Sequence, residues 1–372
     1  MNPHSKGCSM AAALNTALTV ALLAAVALRP PMPRRASPFN LQFTLGWWIN
    51  EVPGIGFGWL IVGTTGTLLR PQGGWWWLVA ACTAVAALLL GWIAVRARST
   101  RPALSQALQA VYGPRAHPRW TAPAWWRLLL GVISWRPDVR RIRNRRYGPA
   151  LRGNRLDLYV SRRGPSTSGP APVLVYFHAL FGSKMIGSRA LLYRLASQGW
   201  VCVSASRRQF RAGYRELDDV RDALAWVYDN AQEYGGDPHR IFACGGSKGA
   251  NLAATAALTG STVTGVICLY GYYGSIGAGP GPTSPQQVIT PDAPPFFIVH
   301  GTLDTLVPVR QARVFANQLR AVSDQPVVYA ELPGAQHAFD AFQSFRFHAV
   351  TDAVVQFAEV VMGVDGDHRR EE

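Results

Sequence analysis

Gly245-Gly246-Ser247-Lys248-Gly249 is the stretch of this chain best built for chemistry. An apolar run, Ile241-Phe242-Ala243-Cys244, precedes it, and a small-residue helical stretch from Ala250 to Leu258 follows. A strand that turns at once into a helix forces the residue between them into a strained backbone conformation, and only very small neighbours let the two elements approach. A serine at that turn is lifted off the sheet. The next N–H and the helix N-terminus then lie beneath any negative charge that develops on a group it attacks. The chemistry implied is nucleophilic attack by the Ser247 hydroxyl.

Such a serine needs a base and a group to orient that base. Phe296-Phe297-Ile298-Val299-His300 reads as a buried strand and leads into Gly301-Thr302-Leu303-Asp304. Val327 to Leu332 reads as the next strand and leads into Pro333-Gly334-Ala335-Gln336-His337. An acid and an imidazole on loops after consecutive late strands suit a relay. His337 would take the Ser247 proton and return it to the leaving group, and Asp304 would fix the imidazole tautomer. Asp340 and Asp292 compete with Asp304 for the acid role and rank below it.

Stepping outward, strand and helix patterns alternate as a mostly parallel sheet requires. Trp200 to Ala205 and Val263 to Tyr270 read as strands. Arg215 to Tyr228 reads as an amphipathic helix with Leu217, Val220, Leu224 and Val227 on one face. Arg207 is expected to pair with Asp219 at the start of that helix. From Gly271 to Pro295 only a short irregular loop fits, which implies an open site.

From about Arg152 to Phe357 the chain resembles the α/β-hydrolase superfamily, in particular bacterial carboxylesterases and lipases of the hormone-sensitive-lipase and feruloyl-esterase-like (BD-FAE) branches. Besides the Ser, Asp, His order, the resemblance rests on Asn154 to Val160, Pro172 to His178, and Tyr234-Gly235-Gly236-Asp237-Pro238-His239-Arg240-Ile241. It implies an α/β-hydrolase fold, cleavage of carboxylic esters through a Ser247-His337-Asp304 triad, and no metal or organic cofactor. The oxyanion would be held by the backbone N–H groups of Ala179 or Leu180 together with that of Lys248. Two departures stand out. Similar enzymes follow His178 with two or three glycines, whereas here Ala179-Leu180-Phe181-Gly182 follow. Lys248 replaces a residue that is commonly small; it is either a cation near the oxyanion or an acidic substrate group, or, more simply, a side chain in solvent. An acyltransferase or serine peptidase on the same core, and an impaired hydrolase that only binds, remain open alternatives.

The first third of the chain is different material. Trp75 to Val95 carries no charge over a length that crosses a hydrocarbon core of roughly 30 Å. Met10 to Leu28 is a second uncharged run, and Leu45 to Leu69 a third, interrupted by Asn50, Glu51 and Pro53. Eleven of thirteen Trp precede residue 136, which suits interfacial anchoring. The expected organisation is a membrane anchor over 1–130, with two or three transmembrane helices and an interfacial helix at Trp120 to Leu130. An Arg-rich juxtamembrane linker over 131–151, the hydrolase domain over 152–362 and a charged tail over 363–372 follow. Ala25-Val26-Ala27 also resembles a signal-peptidase site, against which a retained anchor is the preferred reading.

The net charge of +16 sits beside the membrane region. Residues 1–135 carry eleven Lys/Arg and one acid, Glu51, and residues 136–163 add ten Arg. Arginines there can meet anionic headgroups at about 1 kcal/mol each, and no nucleic-acid module accompanies them. The expected partners are a small-molecule or lipid ester and membrane lipids, not nucleic acid; the oligomeric state is left open. With three spans, Arg29, Arg34, Arg35, Arg96, Arg98 and Arg101 share a side, and the positive-inside rule puts the hydrolase domain in the cytoplasm. A cleaved signal followed by two spans would reverse that. Cys202, Cys244 and Cys268 fall in expected central strands and are read as small hydrophobes rather than a disulfide framework.

Overall fold

Along the strand Ala171–Phe177, Val173, Val175 and Phe177 enter one hydrophobic core while Leu174 and Tyr176 enter another. A strand buried on both faces needs helices on both sides, which crossover connections between parallel strands provide. The computed structural model describes residues 3–28, 41–69, 76–124, 127–128, 134–150, 153–164, 169–179, 189–208, 214–276 and 284–363. Its eight strands are β1 (Val139–Arg146), β2 (Arg155–Ser161), β3 (Ala171–Phe177), β4 (Val201–Ala205), β5 (Gly236–Gly246), β6 (Gly265–Leu269), β7 (Phe296–Gly301) and β8 (Val327–Leu332). They form one sheet in the order β1-β2-β4-β3-β5-β6-β7-β8. Pairing is antiparallel at β1–β2 and β2–β4 and parallel from β4 onward. This is the α/β-hydrolase sheet, with every strand expected from the sequence in place.

The N-terminal helices are α1 (Pro3–Leu28), α2 (Leu41–Glu51), α3 (Pro53–Leu69), α4 (Trp76–Arg98) and α5 (Thr100–Tyr112). The helices between strands are α6 (Arg189–Ser197), α7 (Tyr214–Asn230), α8 (Lys248–Leu258), α9 (Arg310–Val322) and α10 (Phe345–Val361). One face of the sheet is covered by α7, α8 and α9. The other is covered by α5, α6 and α10.

That second face corrects the expected boundaries. Helix α5 is no part of the apolar bundle: Leu104 and Leu108 are fully buried against the sheet core. The expected interfacial helix at Trp120 to Leu130 is not one over its first part. Residues 116–124 are neither helix nor strand, and the Thr121 N–H and hydroxyl bond the Asp352 carboxylate at 2.9 and 3.1 Å. Arg194 bonds the same carboxylate from α6, so three segments meet at one buried acid. Of the rest of that segment, residues 127–128 are helical, and 125–126 and 129–130 lie outside the described residues.

Within the expected Arg-rich linker over 131–151, Val139–Arg146 form the edge strand β1. Alternation in Val139-Arg140-Arg141-Ile142 turns Val139 inward and leaves most arginines outside. Arg141 binds Asp157 on β2, whose other carboxylate oxygen accepts the Asn144 N–H at 2.8 Å. Strongly charged side chains on an edge strand also discourage pairing with a second sheet. The tail beyond residue 363 lies outside the described residues.

Helices α1, α3 and α4 form a bundle whose core mixes alanines with Val20, Leu60, Leu90 and Ile93. Ala17, Ala24, Ala27 and Ala86 are fully buried, and a Cβ on Gly63 would meet Thr16 at 2.4 Å. Other large side chains point outward: Leu22, Trp59, Val62, Leu88 and Trp92 are each at least 60% exposed. The third apolar run breaks at Val52, where α2 ends and the 17-residue α3 begins.

Candidate active site

Ser247 sits between the last residue of β5 and the first of α8, with φ +55° and ψ −122°. That region is costly for a residue with a β-carbon, and the surrounding glycines show what enforces it. A Cβ on Gly245 would lie 2.3 Å from the Gly249 carbonyl carbon, and one on Gly249 would lie 2.0 Å from the Phe177 oxygen and 2.6 Å from that of His178. The helix therefore starts hard against the end of β3. The turn is held further by the Ser247 N–H donating to the Leu269 oxygen at 3.0 Å and by the Tyr272 N–H donating to the Ser247 oxygen at 3.2 Å.

Asp304 and His337 meet as the spacing predicts. His337 Nδ1 lies 2.7 Å from Asp304 Oδ2, and both residues are buried. The other carboxylate oxygen accepts the N–H groups of Leu306 and Val307 at 2.9 and 2.8 Å. His300 Nε2 adds a contact to Oδ2 at 3.1 Å. Burial opposes the Asp304 charge, but the His337 imidazole and the bonds from His300 and His337 outweigh it and hold the pKa well below the carboxylate range. An ionised acid fixed on Nδ1 leaves Nε2 as the basic nitrogen.

The His337 ring packs edge-on against Tyr270, with centroids 4.7 Å apart. The Tyr270 hydroxyl lies 2.4 Å from where a Gly246 Cβ would stand. Tyr270 thus touches both the Ser247 turn and the His337 loop, and the three lie at the carboxyl ends of β5, β6 and β8.

The competing acids are disposed of by position. Asp340 is buried and accepts the Tyr270 hydroxyl at 2.7 Å rather than the His337 nitrogen. Burial pushes its pKa up to about 6. Asp292 is exposed, away from the pair.

Two expectations about charged neighbours need correcting. Lys248 does not lean into solvent: its Nζ binds Glu216 at 2.8 Å. Arg207 pairs with Glu216 at 3.3 Å, while Asp219 takes Arg208 at 2.6 Å. One position of slip in the basic pair Arg207-Arg208 decides which acid on α7 each meets, and sequence spacing does not resolve it. Arg207 also donates to the Ala179 oxygen at 2.9 Å. A chain of contacts therefore joins Lys248, Glu216, Arg207 and Ala179. Leu180, the other expected oxyanion donor, lies outside the described residues. The His178 ring bonds the Ser204 hydroxyl at 2.6 Å.

With this geometry in view, comparison with known proteins is direct. Residues 156–267 match the BD-FAE family and residues 213–356 the dienelactone hydrolase family. Esterase LipC of Mycobacterium tuberculosis is 33% identical over 311 residues, covering 71% of this chain and 76% of LipC. The chain belongs to the α/β-hydrolase carboxylesterases. The probable carboxylic ester hydrolase LipM of the same organism is 38% identical over 259 residues, 58% of this chain and 60% of LipM, so the match spans about three fifths of that relative. The apo form of Thermogutta terrifontis esterase 2 shares the fold, with a TM-score of 0.50 at 23% identity over 62% of this chain and 97% of that one.

Four residues around this hydrolase site were not assigned a role from the sequence. They are Tyr270, His300, Gln336 and Glu216. Tyr270 closes an expected strand and His300 ends another, but nothing in their spacing distinguishes them from core residues. Gln336 accepts the N–H groups of Thr305 and His337 at 2.7 and 3.1 Å, tying the Asp304 loop to the His337 loop. Only the folded proximity of residues some thirty positions apart reveals that tie.

Proposed function

We propose that this protein is a membrane-anchored serine esterase. Ser247 attacks the acyl carbonyl while His337 Nε2 takes its proton. The C–O bond to the alcohol then breaks as that proton passes to the leaving oxygen. Water repeats the sequence on the acyl-enzyme and releases the acid, with Asp304 ionised throughout. The oxyanion is held by the N–H of Lys248 and that of Ala179 or Leu180. The observation that carries the reading is the positive φ of Ser247 at the β5–α8 turn, with the Asp304–His337 pair in the adjoining loops.

The membrane part of the reading is supported by composition and exposure together. Two helical stretches, Ala11–Leu28 and Trp76–Tyr112, have the length and apolarity to cross a bilayer, and α3 is a shorter apolar helix. The outer surface of α1, α3 and α4 carries Leu22, Trp59, Val62, Leu88 and Trp92, each at least 60% exposed, which suits contact with hydrocarbon better than with water. Burial of Ala24 and Ala27 in that bundle favours retention of the first helix. The anchor then covers residues 1–98, with α5 assigned to the hydrolase domain, and the Arg29, Arg34, Arg35, Arg96 and Arg98 side faces the cytoplasm.

Helix α2 lies against the loop that carries His337, so the bundle adjoins the carboxyl ends of the strands rather than the far edge of the sheet. An apolar cleft of about 320 Å³, walled by Leu23, Trp48, Ile55 and Trp59, opens between α1, α2 and α3. Both features favour an ester that partitions into the membrane. The test uses the full chain in detergent micelles. Wild type is expected to hydrolyse p-nitrophenyl esters and to be labelled by a fluorophosphonate probe, and Ser247→Ala to lose both. Absence of labelling in the folded wild type would sink the esterase reading.

A further inference from the structure

Glu51 is the one acid among the first 135 residues, and from the sequence it reads as an interruption of an apolar run. In the fold it is buried at the end of α2, against the segment between β8 and α10. Its carboxylate accepts the Ser344 hydroxyl at 3.2 Å, faces Arg346 at 3.3 Å and is met by the Gln336 backbone N–H. Arg346, fully buried, donates to the Asn50 oxygen at 2.6 Å and to the Pro333 oxygen at 3.2 Å. One ion pair thus reaches both ends of the loop from Pro333 to Ser344, and His337 lies inside it.

A second set of contacts acts on the same loop one turn earlier in α2. Trp47 Nε1 donates to the Ala338 oxygen at 3.0 Å. Ala338 directly follows His337 and has φ +55°, a conformation that a residue with a β-carbon keeps only when its surroundings impose it. The rings of Trp47 and Trp48 both lie on Phe342, with centroids 4.6 and 4.8 Å away. A Cβ on Gly46 would come within 3.3 Å of Gln336 Nε2, and the oxygen of that same amide holds the His337 and Thr305 N–H groups. From α4, Arg96 donates to the Asn50 side chain at 2.8 Å, so α2 is itself tied to the bundle.

A buried ion pair is a poor adhesive, because desolvation offsets much of its attraction, whereas it does specify one geometry among several. Apolar contacts alone would dock the bundle. We propose that α2 is part of the active site: Trp47 and Glu51 are positioning residues that hold the His337 loop in its proton-transfer geometry, so the membrane-side helices set turnover as well as location. This rests on His337 being the base of the proposed esterase. Displacement of a catalytic group by about 1 Å is worth roughly 100-fold in rate, so a hydrogen bond that fixes the neighbouring residue has leverage on kcat and little on KM.

The experiment uses the full chain in detergent micelles, with functional sites titrated by the fluorophosphonate probe so that turnover is expressed per labelled serine. Trp47→Phe keeps a ring on Phe342 and removes the N–H. Glu51→Gln keeps an acceptor for Ser344 and removes the charge facing Arg346. Each is expected to lower kcat per titrated site and the probe's labelling rate by about 10- to 100-fold, with KM within about twofold. Leu88→Ala, on the outward face of α4 and away from the His337 loop, is expected to leave kcat per site unchanged. Gly46→Ala, which presses on the Gln336 amide, is expected to fall in between. A merely structural role would reduce the number of labelled sites and leave turnover per site intact; that result in Trp47→Phe and Glu51→Gln overturns the proposal. A folded wild type that takes no label overturns the esterase reading instead, so the two failures are distinguishable.

Discussion

At the scale of single residues, buried carboxylates divide the labour around His337. Asp304 is ionised because two histidines and two backbone N–H groups face it. Asp304→Asn keeps the shape but stabilises the wrong imidazole tautomer, and kcat for p-nitrophenyl esters is expected to fall by about 10⁴. Because the folded pKa is depressed, the stability Asp304 provides is present above the ordinary carboxylate pKa of about 4 and is lost as the pH falls below it. Asp340 behaves in the opposite sense. Its folded pKa of about 6 lies above the ordinary value, so between the two the fold holds a proton that the unfolded chain has released. Stability falls as the pH rises through that window and stays lowered above it. Asp340→Asn retains an acceptor for Tyr270 without a charge to bury. Its thermal midpoint is expected to exceed wild type at pH 8, with the gain vanishing by pH 4; a difference independent of pH would refute this account.

At the scale of elements, the close approach of α8 to β3 is what places the Lys248 N–H and the segment after Phe177 around one point. Gly249→Ala puts a Cβ into two backbone carbonyls that cannot move independently of the sheet. It is expected to cost about 1–3 kcal/mol or more, seen as a lowered thermal midpoint together with weaker probe labelling. Helix α5 supplies the second prediction. Leu108 is fully buried between α5 and the sheet core, so Leu108→Ala is expected to destabilise the hydrolase domain by about 2–5 kcal/mol. A change at an equally apolar but outward-facing position of α4, Leu88→Ala, is expected to leave the thermal midpoint of the hydrolase domain in place. The G-x-S-x-G turn and the strands were legible because local sterics dictate them. Helix α5 was not, because its amphipathic pattern follows directly on an apolar helix and composition alone does not say which of the two packs on the sheet. The Arg-rich strand β1 was hidden for a related reason: an edge strand buries only one side, and its arginines mask the alternation.

At the scale of the whole molecule, the bundle and the hydrolase domain share a buried polar junction, and the active-site end of the sheet faces it. If the outward Leu, Trp and Val side chains of α1, α3 and α4 meet lipid, tryptophan fluorescence of the protein in vesicles is expected to be quenched by brominated acyl chains. Trp59→Phe and Trp92→Phe, which replace the two most exposed of these indoles, would reduce that quenching. Tryptophan emission unaffected by brominated lipid would remove the membrane reading and leave the ester chemistry untouched.

The sequence by itself determined the strand–turn–helix around Ser247, the placing of Asp304 and His337 on loops after consecutive strands, and the contrast between an apolar first third and an α/β remainder. Each of these follows from local backbone sterics, from the residue period of an element, or from composition, all of which act over a few positions. Only the tertiary structure decided that Asp304 rather than Asp340 holds His337, that Lys248 turns to Glu216, and that Glu51 meets Ser344 from a helix nearly three hundred residues away. Those choices depend on which side chains meet once distant segments are packed at ångström spacing, and hydrogen bonds and ion pairs are selected by that spacing, not by separation along the chain.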